Sequence, residues 1–232
     1  MASRLHLLLP DTQALAQYVA RQVSNVFPDR DVGAAELRPY VERALARLEG
    51  ALEAVRDKYF AGAAKTPFNH RHTDHYAMFL YFVANSVFRD GGPRELAEKA
   101  YALNKALHGL DVFYEVQLPE VFFFQHPVGT VLGRARYSDY LIVYQRCSTG
   151  AKDGVYPTLG RGLVMFGGSA VLGACTVGDN VWLSAGALVM GEDVPSNSAV
   201  FGHSPRLVVK PTKRDVIRDL FLRGTKDDAT AQ

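Results

Sequence analysis

The chain has 232 residues, of which 48% are hydrophobic, and this is enough for a sizeable core and for one or two domains. Its 26 basic and 24 acidic residues give a formal net charge of +2, which argues against a nucleic-acid-binding protein driven by bulk charge. No stretch approaches the roughly 18 apolar residues of a membrane span. Two cysteines, Cys147 and Cys175, do not suggest a disulfide framework, so we expect a cytoplasmic protein without a membrane segment.

The first part of the chain carries helical spacing in four segments. Asp11 or Thr12 is the predicted N-cap of the first helix. In the second helix, Pro39 is expected in the first turn, where a missing N–H costs least. Thr73 is the predicted cap of the third helix, and Gly109 is expected to close the fourth. Short connections between these segments predict a small helical domain.

A six-residue rhythm replaces the helical spacing in the second part of the chain. Large aliphatic residues recur at the first position of each hexad: Leu159, Met165, Val171, Val177, Leu183 and Val189. Small or medium residues recur at the fifth position: Leu163, Ser169, Cys175, Val181 and Ala187. A weaker set of the same kind covers 132–149.

One hexad is interpreted as a short strand followed by a tight corner. Three hexads then close a triangular coil of about 18 residues, and successive coils stack at a strand separation of roughly 4.8 Å. The first position points inward in this arrangement, and the fifth lies near a corner, where a small residue fits. The rhythm therefore predicts a parallel β-helix of hexapeptide repeats. A β-sandwich with regular turns is the alternative, but it would show period-two alternation and longer strands.

The overall prediction is an α+β fold with three parts. A helical domain covers 1–111, a left-handed parallel β-helix covers 112–211, and a C-terminal helix with a polar tail covers 212–232. Between 150 and 158 the rhythm fails, which predicts a loop that projects from the coil, a usual place for function. A second break over 191–211 is expected to lead off the end of the β-helix.

Two segments resemble the serine acetyltransferases. "HPVGTVLG" at 126–133 is similar to the His-Ala-Thr-Gly-Ile-Val-Val-Gly segment of that family. "FGHSPRLVVKP" at 201–211 resembles the family's exit motif, Gly-Val-Pro-Ala-Arg followed by Lys-Pro. With the helical domain and the hexads, the resemblance extends over roughly 70–211. It implies a left-handed coil, acetyl-CoA as co-substrate and acyl transfer as the reaction.

The resemblance places the catalytic base at His126. Imidazole suits this role because its ordinary pKa lies near the operating pH, so it can take a proton from a hydroxyl and return it to a leaving thiolate. A carboxylate is expected to orient the ring. The family's aspartate before the histidine has no match here, because Gln117 stands at the equivalent position. Glu115 and Glu120 are the nearby candidates, and Glu115 is favoured; both could instead be solvated charges.

The family's acceptor-binding charges are also missing. Gln125 replaces an aspartate, Val155 and Tyr156 replace the Arg-His of the loop, and His70 stands at the aligned position of another aspartate. We expect Gln125, Tyr156 and His70 to contact the acceptor. An amino acid would need charged partners, so a neutral hydroxyl acceptor such as a sugar is also possible.

Acetyl-CoA is expected to lie along the stacked corners. The resemblance places Gly167 and Ala185 in this groove, although both also suit plain corner packing. Arg206 and Lys210 belong to a basic cluster that could meet the nucleotide phosphates or could be an ordinary solvated surface. We expect no metal, and the "NHRHTDH" histidines at 69–75 more naturally form a helix start near the acceptor.

Three functions remain open on these grounds. The first is an acetyl-CoA-dependent O-acetyltransferase that acts on serine or another small acceptor. The second is a sugar or nucleotide-sugar O- or N-acetyltransferase of polysaccharide biosynthesis. The third is a non-catalytic β-helix scaffold. The resemblance further implies a homotrimer, or a hexamer in which helical domains join two trimers.

Overall fold

The computed structural model describes residues 5–56 and 67–222. The helices are α1 (Thr12–Val26), α2 (Ala34–Ala54), α3 (Thr73–Arg89), α4 (Arg94–His108) and α5 (Val216–Leu220). The strands are β1 (His6–Leu7), β2 (Pro67–Phe68), β3 (Asp111–Val112), β4 (Phe122–Phe124), β5 (Val131–Leu132), β6 (Leu141–Val143), β7 (Ser148–Gly150), β8 (Thr158–Leu159), β9 (Leu163–Met165), β10 (Ala170–Leu172), β11 (Thr176–Val177), β12 (Val181–Leu183), β13 (Leu188–Met190), β14 (Ser198–Phe201) and β15 (Val208–Pro211). Among the described residues, no helix combines the length and apolar character that crossing a membrane would require.

Three of the predicted helix boundaries are close to the observed ones. The Asp11 side chain accepts a hydrogen bond from the backbone N–H of Ala14 at 2.8 Å, so Asp11 is the cap of α1. Gly109 closes α4 in the left-handed region, with φ of 61°, as predicted. In α3 the cap is His72, and Thr73 is the first helical residue.

The prediction for Pro39 is wrong. Helix α2 begins at Ala34, so Pro39 lies in the second turn and removes the N–H that would bond the carbonyl of Ala35. The helix starts at Gly33 as N-cap, and the Gly33 N–H donates to Glu36 Oε1 at 3.3 Å, which is the one half of a capping box that a glycine can make. A helix of 21 residues tolerates the loss of this one backbone hydrogen bond.

Helix α3 lies at the centre of the helical domain. Every residue from Asp74 to Val87 is buried, so the helix is enclosed on all sides rather than along one stripe. The Tyr81 hydroxyl donates to the backbone oxygen of Val116 at 2.8 Å, and the Phe82 ring lies 5.3 Å from that of Phe122 in β4. The helical domain and the first coil therefore share one core.

Strands β3 to β14 wind into a parallel β-solenoid with three faces, which confirms the predicted hexapeptide architecture. The first face pairs β3, β5, β7, β10 and β13 in that order. The second face contains β8 and β11, and single bridges extend it in both directions. The third face pairs β4, β6, β9, β12 and β14. Five strands on the first face correspond to about five turns.

The hexad residues fill the interior of the solenoid. The six residues at the first hexad position are at most 1% exposed, and the five at the fifth position are at most 6% exposed. The first position is therefore buried in the interior, as the rhythm predicted, and the fifth position is buried as well. Cys147 and Cys175 are free and buried, and Cys175 occupies one of the small positions.

The predicted loop at 150–158 projects as a hairpin. Ser148 pairs with Ala170, 22 residues later, whereas the next turn of the same face takes 18. The four extra residues build a turn in which Lys152 and Val155 exchange two backbone hydrogen bonds of 3.1 Å. Its central Asp-Gly pair has φ of 54° and 77°, the positive values that a type I′ turn requires.

The predicted exit at 191–211 begins too early. The solenoid continues through β14, because Val194 bridges Val177 and β14 pairs with β12. The rhythm merely shortens by one residue: Val194, rather than Pro195, takes the inward position five residues after Val189 and is 2% exposed. Only β15 leaves the coil, antiparallel to β14.

The predicted C-terminal helix is observed as α5, and the predicted polar tail after Leu222 lies outside the described residues. The segment from Thr212 to Leu222 runs back along the third face toward α2. On this path the Arg214 guanidinium lies 3.6 Å from the centre of the Trp182 ring. The segment therefore ends beside the helical domain, at the first coil.

Candidate active site

His126 lies on a solenoid corner that is larger than its equivalents. This corner joins the end of β4, Phe124, to the start of β5, Val131, which is seven residues later. In the next turn the corresponding corner, from Val143 to Ser148, spans five residues. His126 has φ of 51°, and its side chain is 71% exposed. The two additional residues thus lift the imidazole out of the regular coil.

Asp74 supplies the carboxylate beside this imidazole. Its Oδ2 lies 3.5 Å from Nδ1 of His126, and its side chain is only 3% exposed. The other oxygen, Oδ1, is buried without a hydrogen-bond partner among the described residues. Asp74 lies in the first turn of α3, where the helix dipole favours a negative charge. A buried carboxylate at this distance can orient the ring through Nδ1.

Gln125 contacts the other ring nitrogen. Its Nε2 lies 3.3 Å from Nε2 of His126. When Nδ1 carries the proton toward Asp74, Nε2 has a free lone pair and accepts from the Gln125 amide. In this tautomer the ring nitrogen that faces Gln125 is the one without a proton.

These side chains line a cavity of about 640 Å³ between the helical domain and the first two coils. Its wall contains, in chain order, Val55, Arg56, Arg71, His72, Thr73, Asp74, Phe123, Gln125, His126, Ile142, Tyr144 and Leu220. The start of α3, the enlarged corner, the third face and α5 all contribute. The cavity thus combines an imidazole, a buried carboxylate and two guanidinium groups.

The histidines of "NHRHTDH" lie at the start of α3, as predicted. The rings of His72 and His75 are 4.2 Å apart. Burial, with a smaller contribution from His72, lowers the pKa of His75 to about 3, so this ring is neutral near pH 7. Within 5–56 and 67–222, no group of three or more His, Cys, Asp or Glu side chains could hold a metal ion.

Glu115, the predicted orienting carboxylate, lies elsewhere. Its Oε2 accepts from Nη2 of Arg134 at 2.7 Å, and it does not line the cavity. The alternative, Glu120, is within 3.5 Å of Arg89. Both acids follow α4 closely along the chain, and each contacts an arginine instead of His126. The carboxylate beside His126 belongs to Asp74 of α3.

The predicted acceptor-binding residues are separated in the structure. Gln125 lines the cavity. Tyr156 lies at the base of the projecting hairpin, 40% exposed, and is absent from the cavity wall. The His70 ring packs 4.8 Å from the Tyr18 ring and is absent from the wall as well. The structure brings only one of the three to His126 within a single chain.

The predicted coenzyme residues lie on or beyond one ridge of stacked corners. The same corner is occupied in successive turns by Val128, Gln145, Gly167 and Ala185. The N–H groups of Arg146, Gly168 and Gly186 donate to the carbonyls of Val128, Gln145 and Gly167, respectively, at 2.8 to 3.0 Å. A Cβ on Gly167 would lie 2.7 Å from Nε2 of Gln145, so the glycine permits a close side-chain approach. The ridge begins beside the His126 corner.

Two further predicted coenzyme residues, Arg206 and Lys210, lie at the far end of the solenoid. Both side chains are exposed. The Lys210 ammonium is 5.9 Å from the centre of the Phe201 ring. Their positions are compatible with a long ligand that follows the ridge.

A helical domain joined to a parallel β-solenoid of hexapeptide repeats defines the structural class of this protein. Solved structures with this fold include the serine acetyltransferases of Brucella abortus, with a TM-score of 0.68 at 19% identity over 88% of this chain and 84% of that chain. The serine acetyltransferase of Vibrio cholerae has a TM-score of 0.69 at 20% identity over 88% and 80%. A serine acetyltransferase complex with CoA has a TM-score of 0.66 at 18% identity over 84% and 83%.

Curated relatives carry the same name. A serine acetyltransferase of Synechococcus elongatus is 34% identical over 47% of this chain and 46% of its own length. One from Helicobacter pylori is 28% identical over 50% of this chain and 70% of its own. The chain thus spans about half the length of the first of these relatives. No protein-family model matches it. In sequence and fold, the protein is similar to serine acetyltransferases.

Proposed function

We propose that this protein is an acetyl-CoA-dependent O-acetyltransferase that acts on serine or another small hydroxyl-bearing acceptor. The observation that carries the proposal is the placement of His126 at the cavity, with the buried Asp74 carboxylate 3.5 Å from Nδ1. The name shared by the curated relatives supports acetyl transfer to serine. The CoA complex of a structural neighbour supports the coenzyme.

In the proposed mechanism, His126 is the general base. Its Nε2 takes the proton of the acceptor hydroxyl while the oxygen attacks the thioester carbonyl carbon. Asp74 stabilises the imidazolium that forms. The same nitrogen then returns the proton to the sulfur of CoA as the tetrahedral intermediate collapses, so acid and base roles alternate on one ring.

Acetyl-CoA is proposed to lie along the ridge that contains Gly167 and Ala185. Small residues at these corners let a pantetheine chain approach the backbone. A ligand that follows the ridge reaches the His126 corner at one end and Arg206 and Lys210 at the other. Guanidinium and ammonium groups suit phosphate.

We also propose that the working form is a homotrimer or a dimer of trimers in the cytoplasm. The exposed ring of His126 and the position of Tyr156 outside the cavity support this assembly, because a neighbouring subunit could bring its hairpin to the site. Two free cysteines suit a reducing compartment.

An acceptor panel tests the proposal. Free-thiol release from acetyl-CoA is followed with serine, other hydroxy acids, hydroxyl amines, and neutral or nucleotide-linked sugars. Release that depends on serine or a related small hydroxyl compound is expected. Release with sugars alone would shift the assignment to a sugar acetyltransferase. No release and no binding of CoA would leave a scaffold role.

A further inference from the structure

The C-terminal segment is a built part of the cavity wall. Val216 and Phe221 are fully buried, and Leu220 lines the cavity that contains His126. The Phe221 ring packs 5.1 Å from that of Tyr140 on the solenoid. The segment is therefore held in place by its own apolar side chains.

This segment joins the end of α2 as a short antiparallel pair. The Arg56 N–H donates to the Leu220 carbonyl at 2.9 Å, and the Leu222 N–H donates to the Ala54 carbonyl at 2.7 Å. The Arg56 side chain adds a third contact, because its Nε donates to the Phe221 carbonyl at 2.8 Å. Arg56 is thus fixed at both its backbone and its guanidinium group.

Arg56 lines the cavity, and among the described residues its two terminal nitrogens make no hydrogen bond. Across the described ranges, no carboxylate lies within ion-pair distance of either Arg56 or Arg71, and both line the cavity. The only carboxylate of the described wall is Asp74. The wall therefore carries two positive groups against one negative group near the catalytic ring.

We infer that Arg56 recognises a carboxylate of the acceptor, and that the C-terminal segment is the support that positions it. This inference rests on the proposed function. A guanidinium whose Nε is already bound keeps a planar pair of N–H donors that matches a carboxylate. Arg71 provides a second positive group on the same wall. A neutral sugar would offer no charged partner to either guanidinium.

The test compares an acceptor with its uncharged analogue. Serine and serinamide share the hydroxyl and the amine but differ in the carboxylate. In wild-type protein, kcat/KM should favour serine. In Arg56→Gln it should fall about 10- to 100-fold for serine, the size expected for a bond to a charged group. The value for serinamide should change less than about 3-fold, and Arg56→Lys should recover part of the loss.

Arg218→Gln is the matched control. Arg218 lies on α5, contacts Asp219 and does not line the cavity, so this variant should keep the wild-type preference for serine. Equal losses with serine and serinamide in Arg56→Gln would overturn the inference. A raised KM for acetyl-CoA, with an unchanged acceptor preference, would also overturn it and assign Arg56 to the coenzyme.

Binding separates this inference from the proposed function. Calorimetry with serine and serinamide on wild-type and Arg56→Gln protein measures the carboxylate contribution without turnover. Selective binding of serine through Arg56, without acetyl transfer, would overturn the proposed function and support the recognition role. Acetyl transfer together with equal binding of both compounds would support the proposed function and overturn the recognition role of Arg56.

Discussion

The solenoid turns and the His126 corner show two ways in which one chain determines structure. In the turns, each inward residue packs on its equivalent 17 to 22 residues away, so the repeated pattern is sufficient to predict the fold. At the corner, two additional residues break the pattern, and the partner of His126 comes from a helix 52 residues earlier in the chain. Repetition determines the scaffold, and departures from repetition determine the site.

The largest effect is expected at the corner. His126→Ala should lower kcat by about 10²- to 10⁴-fold, because general-base catalysis is lost. The side chain is exposed, so the free energy of unfolding should hardly change. His6→Ala, at an exposed histidine of β1 that is not in the cavity wall, is the control and should retain full activity. Similar rates for the two variants would remove His126 from its role.

An inward hexad residue should show the opposite behaviour. Leu183 is fully buried, so Leu183→Ala should lower the free energy of unfolding by about 2 to 5 kcal/mol, through lost burial and the cavity that remains. Denaturant titration measures the change. The exposed Leu222 provides a control, since Leu222→Ala should cost far less. If His126→Ala destabilised the fold as much as Leu183→Ala, the distinction between scaffold and site would fail.

The two candidate carboxylates can be separated directly. Asp74→Asn keeps the shape of the side chain but removes the charge beside His126, so kcat should fall by about 10- to 100-fold. Glu115→Gln should change kcat by less than about 3-fold, because its partner is Arg134 rather than His126. Steady-state rates on the same acceptor measure both. A larger loss for Glu115→Gln would return the orienting role to the residue favoured by the sequence.

The helical domain should be the more acid-sensitive of the two regions. Burial lowers the pKa of His75 to about 3 and that of His108 to about 4. Unfolded histidines bind protons near pH 6.5, so the unfolded state gains more protons as the pH falls from about 6.5 to 4. Each ring should therefore reduce stability by up to about 1.4 kcal/mol per pH unit in that window.

Urea unfolding at pH 7 and pH 4.5 measures this dependence. His108→Gln, which retains a polar group for Asn104, should flatten the slope of stability against pH. An unchanged slope in His108→Gln would show that this histidine is not held neutral by burial.

The sequence predicted the scaffold well because each hexad residue packs against the equivalent position of the adjacent turns. A short motif also pointed to His126, which lines the cavity in the structure. The sequence missed Asp74 and Arg56, although Asp74 stands inside the segment that the histidines had marked. Neither residue shares a local pattern with His126. Their approach depends on the packing of α3 against the first coil and on the return of the C-terminal segment to α2, which no spacing in the chain encodes.

Glu115 and Pro39 show the same limit. Proximity along the chain favoured Glu115, yet Arg134 competes for its carboxylate at 2.7 Å. Helical spacing placed Pro39 near a helix start, but the N-cap at Gly33, whose N–H donates to Glu36 Oε1, lies six residues earlier and extends the helix. In both cases a stronger local partner determined the outcome.

The central claim is that the His126 corner transfers acetyl groups to a hydroxyl. Its most direct test is a labelled acetyl-CoA assay with serine, in which the acceptor product is isolated and its acetyl position determined. We expect label on the serine oxygen with wild-type protein and no such label with His126→Ala. Label that never reaches a hydroxyl of any acceptor, or reaches it equally well without His126, would contradict the account.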